Sequence, residues 1–202
     1  LGSIYNDEGN QTKGHAHFMV ARSLPTETCF PFRFETIEVY KSALEFNAAD
    51  ARAYYYLGNL LYDKQPEKAI QCWVKATQYE PELAIAHRNV GWGYHHTYGD
   101  LDNAIAAYER AIRNNGNDPR YFYELDRLYE KNGTSVDKRK KLLCANHEVV
   151  AQRPEALIQE IKVLELSCDY ETAIQYLLNN FFPRHEGVDN LHIAGLATEV
   201  YR

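Results

Sequence analysis

The chain has 202 residues, 45% of them hydrophobic and 25% charged, enough to bury a core in one domain or in two small ones. A formal charge of -6 and a pI near 5.8 exclude the basic face with which a nucleic-acid binder meets phosphate. No apolar run reaches the ~20 residues of a membrane span and no secretory pattern opens the chain, so neither nucleic acid nor a membrane is an expected partner.

In chain order, residues 1–33 read as an N-terminal segment with a partial first repeat, and Phe34 to Asp50 as the second helix of that unit. Four apolar-periodic units follow near 51–83, 84–118, 119–153 and 154–187, and then a terminal helix. The units are marked by Ala43, Ala76, Ala111 and Ala145, which stand 33, 35 and 34 residues apart. Seven residues before these alanines come Thr36, Ala69, Ala104 and Lys138. Fifteen residues after the first three come Gly58, Gly91 and Asp126, and sixteen after the fourth comes Ile161. Gly58 to Ala69 is 11 residues, Gly91 to Ala104 is 13, and Asp126 to Lys138 and Ile161 to Ala173 are 12 each. Variable length between helices with constant spacing inside them predicts stacked helical hairpins whose length changes fall in the turns. The chain starts at Leu1 without an initiator Met and stops at Tyr201-Arg202 in helical sequence, as a piece of a longer protein would.

These residues resemble the tetratricopeptide repeat (TPR): an aromatic residue, Leu-Gly, Tyr, then Ala-x-x-x-aromatic-x-x-Ala and Pro. Leu57, Gly58, Ala69, Trp73, Ala76 and Pro81 carry the pattern in one unit, and Val90, Gly91, Tyr94, Ala104, Tyr108 and Ala111 in the next. The later units match in spacing more than in identity, most clearly at DYETAIQYLL. The resemblance implies an all-α fold, a right-handed solenoid of stacked helix-turn-helix hairpins. The run FPFRFETIEVYKSALEFNAADARAYYYLGNLLYD, with GWGY, YELDRLY and FFPRHEG, is also similar to the repeat region of large bacterial proteins of unknown function. In those proteins a β-rich domain similar to galactose mutarotase precedes the repeats, which implies such a domain upstream of this sequence.

Within the hairpin the resemblance implies, Gly58 is expected at the close approach of two helices, opposite Ala69 and Ala76, where packing offsets the ~1 kcal/mol that glycine costs a helix. Tyr54 should wedge into the hairpin and Tyr56 should meet a neighbouring helix. Arg52, Tyr55, Asn59 and Tyr62 then fall on the concave wall, joined in later units by Arg88, Asn89, Trp92 and His95 and by Arg120, Tyr123 and Arg127. Such a wall suits an extended peptide, or a sugar, held by stacking and by arginine hydrogen bonds. Tyr and Asn at these places are also ordinary repeat consensus. Asn59, Asn89 and Arg120 match the carboxylate-clamp subset of the family, but Tyr55 and Glu124 stand where that clamp has Lys and Arg, and Glu124 would repel a carboxylate.

Asp126 and Lys138 replace the small-against-small contact of other units, so Asp126 is expected within salt-bridge distance of Lys138 or Arg139. The run Lys138-Arg139-Lys140-Lys141 spans a full helical turn and cannot all face one ligand. Cys29, Cys72, Cys144 and Cys168 include no CxxC pair and read as reduced, mostly buried thiols. The adjacent His95 and His96 point about 100° apart on a helix and do not read as a zinc site. No HExxH, GxSxG or glycine-rich phosphate loop is present, and no cofactor is implied.

The expected function is a non-enzymatic scaffold or binding module, with a protein or peptide, or an upstream domain of the same chain, as partner. The alternative is the accessory region of a carbohydrate-active or carbohydrate-binding protein. Phe18, Met19 and Phe30 to Phe34 at one end, and Leu191, Ile193, Leu196 and Val200 at the other, are apolar for terminal faces, which suggests end-to-end self-association or cover by another domain.

Overall fold

A computed structural model describes residues 2–24 and 31–182, and among these residues every regular element is helical. The chain divides into two compact units, Leu1–Asn114 and Asn115–Arg202. The first holds α1 (Gly2–Asp7), α2 (Gln11–Ser23), α3 (Thr36–Phe46), α4 (Ala51–Leu61), α5 (Pro66–Tyr79), α6 (Ala84–Gly93), a π-helical turn (Tyr94–Tyr98) and α7 (Leu101–Asn114). The second holds α8 (Pro119–Lys131), α9 (Val136–Cys144), the short α10 (His147–Val150), α11 (Pro154–Leu166) and α12 (Tyr170–Asn179). Proline stands at the first turn of α5, α8 and α11, where its missing N–H is no loss. Asp50 and Asp118 cap α4 and α8 by accepting from the first free backbone N–H groups.

In the first unit α4 packs on α5, α5 on α6 and α6 on α7, as successive hairpins require. Gly58 is where the expected close approach occurs. A Cβ there would lie 3.0 Å from the Ala69 carbonyl and 2.5 Å from Trp73 Nε1, so the space opposite Gly58 is filled by an indole as well as by Ala69. Gly91 repeats the arrangement against the Ala104 carbonyl at 3.1 Å and the Tyr108 ring at 2.6 Å. Tyr56 meets Tyr40 of α3, ring centroids 5.5 Å apart, as expected of a contact with a neighbouring helix. Tyr54 packs within its own hairpin, at the edge of the core formed by α4 and α5. Half-buried, it stacks on Tyr79 near the end of α5 and lies under the Lys75 ammonium.

The longer spacing in the second hairpin is not absorbed in the turn alone. Residues Tyr94–Tyr98 continue α6 as a π-helix, closed by Gly99 at a φ of 66°. An inserted residue held inside a helix widens it locally, and such turns recur at functional sites.

In the second unit the equivalent crossing is polar. Asp126 is fully buried and is gripped by Arg139, with Nε donating to Oδ1 and Nη2 to Oδ2 at 2.8 Å each. The salt bridge expected of Asp126 is therefore present, but Lys138 takes no part in it and lies exposed with Nζ 4.5 Å over the Tyr129 ring. Lys140 pairs with Asp169 at 2.9 Å and Lys141 is exposed, so the four basic residues serve different surroundings. The alanine spacing also fails here. Ala145 caps the end of α9 and is exposed, and Leu143 is the buried residue instead. The last hairpin closes with Ile161 and Ala173, both fully buried, beside Leu157, Ile158 and Leu164.

Cys72 and Cys144 are partly buried, whereas Cys168 is exposed at a φ of 59°, contrary to the expectation of a buried thiol; Cys29 lies outside the described residues. At the N-terminal end Met19, Phe32 and Phe34 are exposed and Phe18 is half-buried against Phe46. Phe30, Leu191, Ile193, Leu196 and Val200 lie outside the described residues.

Candidate binding surface

The residues expected on the inner wall divide between the two units. On α4, Asp50 caps the first turn and fixes where the following side chains point. Arg52 is half-buried; its guanidinium donates to the Leu24 carbonyl and lies 3.6 Å from Glu80, so its charge is partly met within the unit. Tyr55 is only 4% exposed, in the core beside Tyr56, Trp73 and Val90. It supports the wall from behind and offers no open face to a ligand. Tyr62 is half-buried, its ring 5.2 Å from Trp73 and its hydroxyl 3.5 Å from Thr97 of the π turn.

Asn59 and Asn89 are joined. Asn59 Oδ1 accepts from Trp73 Nε1 at 3.0 Å and from Asn89 Nδ2 at 2.8 Å. Two donors on one oxygen set the orientation of the amide, and the Nδ2 group of Asn59 is left on the half-buried face of α4. Asn89 is itself buried and receives a bond from Arg88 Nη1 at 3.3 Å on its own oxygen. Trp73, not singled out from the sequence as part of this surface, is the hub of the network. Its aromatic character and spacing from Gly58 were visible; its indole N–H partner was not.

On α6 the guanidinium of Arg88 lies 5.0 Å from the Trp92 ring, and His96, one turn further on, stacks on the same indole at 3.8 Å. Arg88 precedes Trp92 by one turn and His96 follows it by one, so the indole is layered between a cation and an imidazole. His95 meets His96 edge to face at 4.3 Å. Both rings lie within the π turn. Among the described residues no group of three or more His, Cys, Asp or Glu could hold a metal ion.

In the second unit Arg120 pairs with Asp118, the residue that caps its own helix, at 2.6 Å. Tyr123 accepts from Arg127 Nη1 at 3.4 Å and lies under Arg153. Arg127 is exposed, 3.9 Å from Glu130. The two asparagines and the arginine that match a carboxylate clamp are therefore each bonded within the chain.

No family model matches the sequence, and no curated protein matches it. Solved structures do. A crystal structure of YrrB, a TPR protein with an unusual peptide-binding site, is 23% identical, with 70% of this chain and 73% of that one covered at a TM-score of 0.60. The crystal structure of MamA is 19% identical over 87% of this chain and 90% of that one, TM-score 0.57. PilF of Pseudomonas aeruginosa is 22% identical over 89% and 86%, TM-score 0.55. Together with the hairpins described above, these likenesses show the fold, an all-α arrangement of helical hairpins of the TPR solenoid kind.

Proposed function

We propose that the chain is a non-enzymatic binding module that holds an extended peptide segment of a partner protein on the face formed by α4, α6 and the π turn. The observation that carries this reading is the set orientation of Asn59. With its oxygen engaged twice inside the hairpin, its N–H₂ group is a prearranged donor for a peptide carbonyl. Tyr62 and the Arg88–Trp92–His96 stack flank it with aromatic edges and cationic groups, the residue types that dominate interaction energetics. Arg120, Tyr123 and Arg127 provide a separate polar surface on α8.

A sugar-binding accessory role is less well supported by the same residues. Sugar rings stack on an open aromatic face, and the Trp92 indole has neighbours at 5.0 Å and 3.8 Å from the turns before and after it.

The test is selection of a displayed random-peptide library on the wild-type chain, followed by titration of the enriched peptides against Asn59→Ala and the outer-surface variant Arg110→Ala. Peptides that lose about tenfold in affinity for Asn59→Ala and none for Arg110→Ala support the proposal. Enriched peptides that bind all three chains equally would remove it.

A further inference from the structure

The second unit contains a carboxylate that the binding surface does not use. Glu160 of α11 is fully buried among Leu157, Ile158, Ile161 and Leu164. Its Oε2 lies 2.9 Å from His147 Nδ1 of α10, and its Oε1 is buried with no hydrogen-bond partner. The His147 imidazole is stacked on Tyr176 of α12, ring centroids 4.1 Å apart and planes 12° from parallel. The Cys144 thiol of α9 lies against the same carboxylate. Glu160 of α11 is thus bonded to α10 through His147, and α12 meets that imidazole through Tyr176.

Other ionisable groups nearby are committed. Lys140 and Asp169 pair with each other at 2.9 Å. On α8, which also packs against α11, Asp126 is held by Arg139 and Arg127 lies beside Glu130. The only basic group bonded to Glu160 among the described residues is the His147 imidazole.

We propose that His147 and Glu160 form a proton-dependent latch: one proton shared between them holds α10 and the α11–α12 hairpin closed, and its loss opens them. With the proton on either partner the pair carries no net charge, as GluH with neutral His or as carboxylate with imidazolium. Without it, a buried carboxylate keeps only the N–H of a neutral imidazole and the Cys144 thiol as donors, with Oε1 unbonded and no opposite charge beside it, and that desolvated charge favours opening. The neighbours supply no positive charge, although the Cys144 side chain hydrogen-bonds the carboxylate. Burial pushes the Cys144 thiol up to about 11 and raises the Tyr176 phenol, so both stay neutral and neither offers a positive charge.

The direction of the response follows from the proton count. Burial raises Glu160 above the ordinary carboxylate range, against the pull of His147. The folded chain therefore keeps a proton that the unfolded chain has released. The contribution of Glu160 to stability is fully present below the ordinary carboxylate pKa and is lost as pH rises through its folded titration.

The test is amide hydrogen exchange on the whole chain, with protection corrected for intrinsic base catalysis. As pH rises from the ordinary carboxylate value of about 4.3, protection across α10–α12 should fall about tenfold or more, while α4–α7 should not follow it. Glu160→Gln keeps a hydrogen-bonding group without the ionisation and should abolish the fall. His147→Gln removes the imidazole that pulls Glu160 down and should move the fall to higher pH. Protection in wild type that is flat with pH, or a fall that persists unchanged in Glu160→Gln, would overturn the proposal. Should Glu160→Gln not fold, the wild-type profile and the displacement in His147→Gln decide it: an unmoved profile refutes the latch.

Discussion

Asp126 and Arg139 form a buried two-point ion pair at the helix crossing where the two preceding hairpins place glycine against alanine. Asp126 is fully buried and Arg139 is 4% exposed, so neither end can turn to water if the other is removed. Glu130 at 3.5 Å gives Arg139 only a half-exposed second partner. We expect Asp126→Ala to destabilise the second unit by about 3 to 5 kcal/mol. Replacing both partners with apolar residues, Asp126→Ala with Arg139→Met, should recover most of that loss. Chemical denaturation of the three chains measures both quantities; a double variant no more stable than Asp126→Ala would show that the crossing needs the charges themselves.

Gly58→Ala should destabilise although alanine favours helix. The added methyl would enter the space of Trp73 Nε1, 2.5 Å away, and push the indole off Asn59. A net loss of about 1 to 3 kcal/mol is expected, from overpacking and a broken buried hydrogen bond. Gly91→Ala meets a Tyr108 ring edge in the same way and should lose a similar amount. Thermal melts of the two variants would test this, with unchanged or raised midpoints as the contrary result.

Trp92→Ala should weaken capture of selected peptides by about 1 to 3 kcal/mol while lowering stability by no more than about 1 kcal/mol. The side chain is half-buried and its described ring contacts, Arg88 and His96, lie on its own helical segment. Calorimetric titration beside a melt separates the two effects. Arg110→Ala is a better outer control than Lys75→Ala, because Lys75 covers the Tyr54 ring.

The first unit should respond to acid. His87 is buried, its Nε2 is 2.8 Å from the Pro81 carbonyl, and burial lowers its pKa, helped by Arg110 and Arg113. A histidine that titrates lower folded than unfolded contributes stability that is present above the unfolded value of about 6.5 and is lost as pH falls through the folded one. Exchange protection of α6 and α7 should therefore drop on acidification. A variant that cannot ionise, His87→Gln, should show a flatter profile, and an equal acid response in both chains would contradict the assignment.

Cys168 occupies a left-handed conformation after α11, with its N–H on the Glu165 carbonyl and the next N–H on the Leu164 carbonyl. A residue with a Cβ is strained there by roughly 1 kcal/mol. Cys168→Gly should raise the denaturation midpoint of the second unit, and a lowered midpoint would mean that the 3.6 Å contact from the Tyr170 hydroxyl to the Cys168 sulfur outweighs the strain.

The hairpins were legible because their signals are repeated and local. Glycine, alanine and proline at fixed intervals report helix ends and close approaches, and the structure places Gly58 and Gly91 alike. Asp126 was legible for a different reason: a charge in a position reserved for small residues demands a partner. Its identity, Arg139 instead of Lys138, depended on a register that spacing alone did not fix. Tyr55 was misjudged because helical phase shows which way a side chain points, not what covers it. Glu160 and His147 gave no signal, since their meeting joins residues 13 apart on two helices through an intervening turn that matches no repeat.

The π turn at Tyr94–Tyr98 shows how an array of this kind acquires new chemistry. An added residue that spills into a loop changes nothing upstream. One retained within the helix advances the phase of the side chains after it, and here it falls where His95 meets His96, itself stacked on Trp92, while Gly91 and Ala104 keep their contact. The surface of a repeat can thus alter by a change of length alone, with the glycine and alanine of the helix crossing left in contact.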